Sequence, residues 1–430
     1  MITRVEVLNY RMLRDVSQPL DRFRILVGPN ASGKSTFLDV LRFIRDVLAP
    51  EKGPSGAVEE RCRDIRELVW AGAGSAVQVA VDVALPADLL MECPAPTFRY
   101  ELEVGAPLGS GPATINAEAL FFYPDGGVIR PSPEQPSMFP QLRPPRSSAL
   151  ELDSRRRVPG RQKVVSKTRD SGRDYYQWKP PGLEGKQLWH QSFAVGRERT
   201  ALFFIPRAED DNEHYYEAPR WIRDFLVDRI VPVQLDVAAM REASSPLRQG
   251  PFRADGSNLP WAVLTLRQGY GRLFDDWLAH VRTILPEILD VQAIVRDEDR
   301  HCYLAVRYEP NLEVPAWLVS DGTLRVLALT LLAYYPFGPS LFLIEEPENG
   351  LHPRAVEGLY ESLSSMWRHQ VLLATHSPAL LRLANPNQVL CFSNAGESTT
   401  DIVCGEQHPR LREWRDEVNL ADLNAMGVLS

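Results

Sequence analysis

The sequence predicts an α/β fold with a mainly parallel sheet, an antiparallel β layer and an inserted helical lobe. Three observations support this prediction. An apolar strand at 23–27 runs directly into a glycine-rich loop, and an amphipathic helix follows. Short runs with β character at 77–85, 97–104 and 115–123 are separated by Pro and Gly turns and predict the antiparallel layer. From residue 292 onward strands and helices alternate, which is typical of a parallel sheet.

The parallel sheet must draw on both ends of the chain, because its opening strand is the one that precedes the glycine-rich loop. We therefore predict that residues 1–125 and 291–430 form two parts of one domain, with residues 126–290 inserted between them. The stretch 124–160 is rich in Pro, Ser, Gly and Arg and lacks clear periodicity. Between 217 and 289 the apolar residues recur at helical spacing, which predicts the helical lobe.

Composition restricts the class of protein. An apolar share of 44% is normal for a chain with a buried core. The five cysteines are scattered without a CxxC pair, which argues against a disulfide framework or a zinc knuckle. No apolar run approaches the roughly 18 to 20 residues of a membrane span, and the N-terminus lacks the pattern of a signal peptide. We expect a cytoplasmic protein without a membrane partner.

The formal net charge of −8 argues against a protein with an overall positive surface. One local exception lies between Arg143 and Arg173, where ten Lys or Arg residues stand against three acidic residues. A solvated surface loop is the more common explanation of such a run. The alternative is an arm that binds nucleic acid.

The glycine-rich loop fits the pattern G-x-x-x-x-G-K-[ST], with the strand before it and the helix after it that this motif requires. Its residues are Gly28, Pro29, Asn30, Ala31, Ser32, Gly33, Lys34, Ser35 and Thr36. Backbone N–H groups of such a loop turn towards phosphate oxygens at the start of the helix. Lys34 would reach the β- and γ-phosphates, and the Ser35 hydroxyl suits Mg²⁺. The loop therefore predicts ATP and Mg²⁺ as cofactors.

Two acidic residues, Glu345 and Glu346, follow the apolar strand 341–344. The carboxyl end of a parallel strand faces the ligand crevice. Glu345 would hold the Mg²⁺ shell through water, and Glu346 would polarise the water that attacks the γ-phosphate. The alternative is a pair of solvated turn residues.

Two further sites follow the same logic. His376 stands at the tip of the strand 371–375, where an imidazole can hydrogen-bond the γ-phosphate or the attacking water. Ser320 and the backbone of Gly322 open an amphipathic helix and offer donors to an anion. Without the other motifs, the second site would be an ordinary helix N-cap.

In order and spacing these motifs resemble those of ABC-type ATPases of the RecF, SMC and OLD kind. The resemblance is closest to the stand-alone ATPases of the AAA-family ATP-binding group, as in Septu-type phage-defence systems. GPNASGKST is similar to the Walker A motif of these proteins, VSDGTLR to their signature, LFLIEEPENGLHP to their Walker B motif with D-loop, and ATHSP to their switch histidine. The closing NLADLNAMGVLS is also similar to the tail of that group.

The resemblance implies that two subunits meet head to tail, as a homodimer or a higher homo-oligomer. Ser320 and Gly322 would then contact the ATP of the partner subunit, and residues 349–352 would lie at the seam. Lys34, Glu346 and His376 would be the catalytic residues. By the same resemblance Arg11 would contact the nucleotide.

The resemblance also implies a biological setting: sensing or clamping of DNA or RNA, and control of a separate effector protein such as a nuclease, in phage defence or DNA repair. Only 54 residues follow His376, too few for the Toprim nuclease domain of OLD proteins, so we expect the nuclease to be another polypeptide. The sequence departs from the ABC pattern at Glu345, where many members have Asp, and no Q-loop glutamine stands out. The alternatives are a nucleotide-binding subunit of a transporter-like or other non-DNA assembly, and a P-loop kinase or GTPase, in which Ser320 and His376 would have no role.

Overall fold

The computed structural model describes residues 1–72, 74–86, 89, 96–106, 111–124, 146–153, 161–167, 174–178, 189–205, 217–336, 338–394 and 399–408. Most of the basic stretch and the closing NLADLNAMGVLS lie outside the described residues. No helix within these ranges is long and apolar enough to cross a membrane.

Seventeen strands and nine helices are defined within the described ranges. The strands are β1 Ile2–Tyr10, β2 Leu13–Pro19, β3 Phe23–Val27, β4 Ala76–Ala84, β5 Thr97–Gly105, β6 Thr114–Tyr123, β7 Gln162–Lys167, β8 Asp174–Trp178, β9 Trp189–Phe193, β10 Ile230–Val233, β11 Ile288–Val295, β12 Cys302–Tyr308, β13 Leu312–Pro315, β14 Leu341–Glu345, β15 Gln370–Ala374, β16 Val389–Asn394 and β17 Thr400–Cys404. The helices are α1 Lys34–Leu48, α2 Gly53–Glu59, α3 Glu217–Asp228, α4 Val237–Arg241, α5 Leu259–Gly269, α6 Gly271–Ile284, α7 Asp321–Tyr334, α8 Pro353–Ser364 and α9 Pro378–Leu383.

The parallel sheet has the strand order β10-β14-β15-β3-β16-β17, and only β17 is antiparallel to its neighbour. The strand before the glycine-rich loop, β3, belongs to this sheet, as predicted, and lies between β15 and β16. Its five residues, FRILV, are all buried, because both faces of the sheet are covered. The parallel register brings the carboxyl ends of β3, β14 and β15 to one edge of the sheet.

The predicted antiparallel layer is an eight-stranded sheet with the order β2-β1-β4-β5-β6-β7-β8-β9. Phe98 and Tyr100 of β5 belong to the same buried cluster as Phe37 and Phe43 of α1. Since side chains alternate along a strand, the charged residues between them face away from α1. One face of this sheet therefore supports the helix that begins at the glycine-rich loop.

The opposite face of the antiparallel sheet holds a buried charge cluster. Arg99 is fully buried and donates to Glu6 and Asp82, each at 2.9 Å, and to Glu101 at 2.6 Å. The segment 146–153 covers this face, because Arg99 also donates to the carbonyl oxygen of Ala149 at 3.0 Å. These contacts satisfy a guanidinium group that would otherwise be costly to bury.

Strands β11, β12 and β13 form a separate three-stranded antiparallel sheet, so the prediction that the strands after residue 292 share the parallel sheet was wrong for these. The physical reason is the short connection between β11 and β12, which permits a hairpin but not a parallel crossover. Strand β10 lies inside the region predicted as inserted, yet it pairs in parallel with β14. Helix α3 packs against α1, whereas α5 packs against the small sheet and α6 against α7 and α8.

Candidate functional site

A cleft with a volume of about 200 Å³ lies at the carboxyl edge of the parallel sheet. It is lined by four segments of the sequence: the turn between β1 and β2, the glycine-rich loop with the start of α1, the end of β14, and the end of β15. The lining residues are Met12, Asn30, Ala31, Ser32, Gly33, Lys34, Ser35, Thr36, Glu345, Glu346, Ala374 and His376. The structure thus brings most of the candidate residues to one place.

The glycine-rich loop ends at Gly33, which precedes α1 with a positive φ of 103°. A Cβ atom at Gly33 would lie 2.3 Å from Thr400 Oγ1, so only glycine fits here. The same hydroxyl donates to the carbonyl oxygen of Ser32 at 2.9 Å and supports the loop from β17. The N-terminal turn of α1 therefore faces the cleft, where its free N–H groups favour an anion.

Lys34 lies against the loop that it follows. Its ammonium group donates to the carbonyl oxygens of Gly28 and Pro29, each at 2.8 Å. Burial lowers the pKa of Lys34, and the charges of Glu346 and Glu345 oppose this shift. The ammonium group of Lys34 therefore lies against the glycine-rich loop, on the wall of the cleft.

Glu345 connects β14 to α1. Its Oε2 accepts from the Ser35 hydroxyl at 2.5 Å, and its Oε1 accepts from Arg42 Nη2 at 3.0 Å. A hydroxyl and a carboxylate side by side are the hard oxygen donors that Mg²⁺ prefers, so these residues fit the predicted ion. Within the described ranges no group of three or more His, Cys, Asp or Glu forms a metal cluster. Mg²⁺ sites completed by water and phosphate need only one or two carboxylates.

Glu346 occupies an unusual backbone conformation, with φ at 47°. Its N–H donates to the carbonyl oxygen of Ala374 at 2.8 Å, which extends the β14–β15 ladder by one residue. Its exposed carboxylate accepts from Asn349 Nδ2 at 2.5 Å. A positive φ at a residue other than glycine is a strain that concentrates at functional sites.

His376 follows β15 and is half-buried on the cleft wall. The next residue, Ser377, caps α9 by accepting from the N–H of Leu380, and Pro378 opens that helix. The cap directs the chain away from the cleft immediately after His376. The imidazole is thereby left at the tip of the strand, beside the glycine-rich loop.

Ser320 and Gly322 do not line this cleft. Ser320 is exposed and caps α7, accepting from the N–H of Thr323 at 3.2 Å. A Cβ atom at Gly322 would lie 2.8 Å from the carbonyl oxygen of Gly350. The start of α7 therefore packs closely against the turn that follows Glu346.

Arg11 does not line the cleft either. Its Nη1 lies 3.3 Å from Asp39 Oδ2 on α1, so its charge is paired within the chain. Tyr10 also donates to Asp39 Oδ2, at 2.6 Å. The neighbouring residue Met12, rather than Arg11, lies on the cleft wall.

Gln234 is a residue that the sequence analysis missed. It follows β10, next to β14, at the same edge of the parallel sheet. With its amide oxygen turned towards Arg42, it accepts from Nη1 at 3.0 Å and Nη2 at 3.1 Å. Arg42 thus joins Gln234 to Glu345. The short apolar run IVPV before Gln234 was the available signal, but only its pairing with β14 identifies it as part of the parallel sheet.

Parts of the basic stretch are described, and three of its cations have partners within the chain. Arg146 pairs with Asp15 at 2.6 Å, and Arg161 pairs with Glu151 at 3.0 Å. Lys167 is buried and donates to two backbone carbonyl oxygens, each at 2.8 Å. These three charges stabilise the antiparallel sheet and its covering segment.

Two segments of the chain match known families. Residues 1–66 match the family described as "AAA ATPase domain", and residues 248–382 match the family described as "AAA domain, putative AbiEii toxin, Type IV TA system". The first segment holds the glycine-rich loop, and the second holds Ser320, Glu345, Glu346 and His376. No curated protein matches the chain.

Three solved structures of SMC head domains align with nearly the whole chain at low identity. The SmcHead bound to the C-winged helix domain of ScpA is 14% identical, covers 94% of this chain and 97% of that one, and has a TM-score of 0.49. The SMC head domain from Thermotoga maritima is 12% identical, with coverages of 94% and 98% and a TM-score of 0.39. The Smc head domain with an extended coiled coil, bound to the C-terminal domain of ScpA from Pyrococcus furiosus, is 12% identical, with coverages of 96% and 99% and a TM-score of 0.46.

Both segments that match a family lie at the cleft. Both matched segments contribute residues to the lining, the first through Lys34 and Ser35 and the second through Glu345, Glu346 and His376. The strand β3 joins them in one parallel sheet. Two segments of the chain that are similar to AAA ATPase domains, 1–66 and 248–382, therefore meet around one cleft.

Proposed function

We propose that this chain hydrolyses Mg²⁺-bound ATP in the cleft. The observation that carries the proposal is the convergence of Lys34, Glu346 and His376 on one cavity, although up to 342 positions of sequence separate them. The loop Gly28–Thr36 would bind the phosphates. A cation and an imidazole around such a loop can stabilise charge on the phosphates, and a carboxylate can orient the attacking water.

Each residue has a separate task in this scheme. Lys34 turns from the carbonyl oxygens of Gly28 and Pro29 to the β- and γ-phosphate oxygens. Glu346 accepts a hydrogen bond from the attacking water and orients it in line with the γ-phosphate, while His376 donates to a γ-phosphate oxygen. Mg²⁺, bound beside Ser35 with Glu345 acting through water, would neutralise charge on the phosphates.

We also propose that hydrolysis takes place between two copies of the chain that meet head to tail. Ser320 is exposed and lies outside its own cleft. The donors at the start of α7 are thus available to an ATP molecule that a second subunit holds. The turn 349–352, which packs against Gly322, would lie at the same seam.

The proposed function also includes a nucleic acid, DNA or RNA, and a separate effector protein. An ATP-closed dimer would sense or clamp DNA or RNA and control a separate effector such as a nuclease, in phage defence or DNA repair. The motif resemblance and the +7 balance between Arg143 and Arg173 support this setting. A non-DNA assembly, such as a transporter-like one, is the second candidate. It is favoured by the net charge of −8 and by the internal pairing of Arg146, Arg161 and Lys167.

The decisive experiment compares wild type with Glu346→Gln and with Glu357→Gln, an exposed glutamate on α8 that does not line the cleft. Turnover and oligomer size are measured with and without ATP and with and without DNA or RNA. We expect Glu346→Gln to bind ATP, to hydrolyse it at least about a hundredfold more slowly, a loss of about 2.7 kcal/mol, and to accumulate as the closed dimer.

The turnover of the two variants tests the role of Glu346, and the effect of DNA or RNA on the ATPase rate tests the nucleic-acid part. Glu357→Gln should behave as wild type. Near-normal turnover in Glu346→Gln would remove Glu346 from its role. An ATPase rate indifferent to DNA and RNA, with no ATP-dependent binding to either, would refute the nucleic-acid part and favour the non-DNA assembly.

A further inference from the structure

A hydrogen-bond chain joins the loop after β14 to the loop after β15. The N–H of Ser377 donates to Thr375 Oγ1 at 2.9 Å, and the Thr375 hydroxyl donates in turn to Glu348 Oε1. Thr375 is buried, with 1% of its surface exposed. His376 stands between the two residues that the chain links, so its backbone is held on both sides.

A second contact joins the same two loops. The N–H of Glu346 donates to the carbonyl oxygen of Ala374 at 2.8 Å. Glu348 is also tied into its own turn, since its carbonyl oxygen accepts from the N–H of Leu351 at 3.0 Å. The backbone contact and the Glu348–Thr375 contact together make a closed frame around Glu346 and His376.

Folding alone does not explain the position of one carboxylate oxygen of the half-buried Glu348. Its Oε2 atom is buried and, within the described ranges, has no hydrogen-bond partner. A buried acceptor without a donor lowers stability, so folding alone would favour a smaller or apolar side chain here. Unsatisfied groups of this kind in a native structure call for an explanation, and a role at a functional site is one.

We propose that Glu348 and Thr375 are positioning residues that hold the Glu346 loop and the His376 loop in one catalytic arrangement. The inference rests on the proposed ATPase activity of the cleft. Neither residue contacts ATP in this scheme. They act through Glu346 and His376, whose separation they set, and a displacement of about 1 Å at such groups costs up to about a hundredfold in rate.

The test is a double-mutant cycle on the full chain, with steady-state ATPase kinetics as the readout. We expect Thr375→Val and Glu348→Ala each to lower kcat by about ten- to a hundredfold, with the KM for ATP changed by less than about threefold. The double variant should lose about as much kcat as the more severely affected single variant, because both changes break the contact between Thr375 and Glu348. Thr375→Ser, which keeps the hydroxyl, and Glu348→Gln, which keeps the acceptor, should restore most of kcat.

Thr330→Val is the matched control, since Thr330 has a buried hydroxyl on α7 that accepts from Trp277 Nε1 at 3.0 Å and is not part of the cleft. It should lower the melting temperature and leave kcat unchanged. If Thr375→Val fails to fold, Glu348→Ala decides, because Glu348 is only half-buried: a normal kcat in that variant overturns the inference.

Inactive Glu346→Gln together with normal kcat in Thr375→Val and Glu348→Ala would overturn this inference alone. Additive losses, or equal losses in the conservative variants, would also overturn it. An active Glu346→Gln would instead overturn the proposed function.

Discussion

Ser35 and Glu345 are in direct contact: Ser35 Oγ lies 2.5 Å from Glu345 Oε2, across 310 positions of sequence. Because Ser35 is in the first turn of α1 and Glu345 ends β14, this contact sets the start of the helix against the edge of the parallel sheet. The other carboxylate oxygen is held by Arg42. The carboxylate of Glu345 therefore contacts two residues of α1, Ser35 and Arg42.

The first prediction concerns the ion. Glu345→Gln should raise the Mg²⁺ concentration for half-maximal ATPase activity by about ten- to a hundredfold, because loss of the charge weakens the ordered shell of the ion. The measurement is a Mg²⁺ titration at saturating ATP. Glu357→Gln serves as the control, and an unchanged Mg²⁺ requirement in Glu345→Gln would contradict the assignment.

The second prediction uses the close approach of Gly322 to Gly350. Gly322→Ala should lower turnover by about tenfold or more, since the new methyl group pushes the start of α7 away from the turn that follows Glu346. ATP binding by the separate subunit should stay unchanged. The change cannot act by weakening α7, because alanine is the better helix former by about 1 kcal/mol.

Gly271→Ala is the matched control for Gly322→Ala. Gly271 is also in the first turn of a helix, and a Cβ atom there meets nothing within 4 Å. It should show normal turnover. Equal turnover in both variants would argue against a role for the contact between α7 and the turn.

The third prediction concerns stability. Arg99→Met should lower the free energy of unfolding by about 3 to 5 kcal/mol, because it removes the cation that contacts the buried carboxylate of Glu101 and one of the two cations that contact Glu6. Urea denaturation of the full chain measures this loss. Arg66→Met, which removes an exposed pair with Asp64, should change the midpoint little. A midpoint for Arg99→Met close to that of wild type would show that the cluster does not stabilise the sheet.

The fourth prediction concerns pH. His369 is buried against the ring of Phe342, and burial, followed by the charges of Arg368 and Arg229, lowers its pKa from 6.5 to about 4. The unfolded chain therefore binds a proton between these two values while the folded chain does not. The stability that this histidine contributes is complete above pH 6.5, and falls by about 2 kcal/mol at pH 5 and about 3 kcal/mol at pH 4.

His369→Gln should make the loss of stability on the acid side shallower by these amounts. Urea denaturation at pH 7, 5 and 4 provides the measurement. His352→Asn is the control, because asparagine keeps a capping side chain on α8. If the free energy of unfolding of His369→Gln falls between pH 7 and pH 4 as steeply as that of wild type, His369 is not the cause of the fall.

Local patterns predicted much of the fold and of the candidate site. The strand β3, the loop that ends at Gly33 and the helix α1 follow from an apolar run, glycine at fixed positions and helical periodicity. Glu345 and His376 stood out because each ends an apolar strand, and carboxyl ends of parallel strands share an edge. Strands β11 and β12 were wrongly predicted to belong to the parallel sheet, since apolar runs of this kind look the same in a hairpin as in a parallel sheet.

The sequence by itself determined the motif residues and predicted a phosphate-binding site, because a glycine loop, a lysine and strand-end carboxylates are recognised by residue type and local spacing. Only the tertiary structure decided which distant groups support them: Gln234 on Arg42, Thr400 on the loop, Glu348 on Thr375, and Gly322 against Gly350. Such contacts form only when the order and register of the strands place the two side chains within about an ångström of their contact positions. That information belongs to the packing of the whole chain and is not present in any short segment of it.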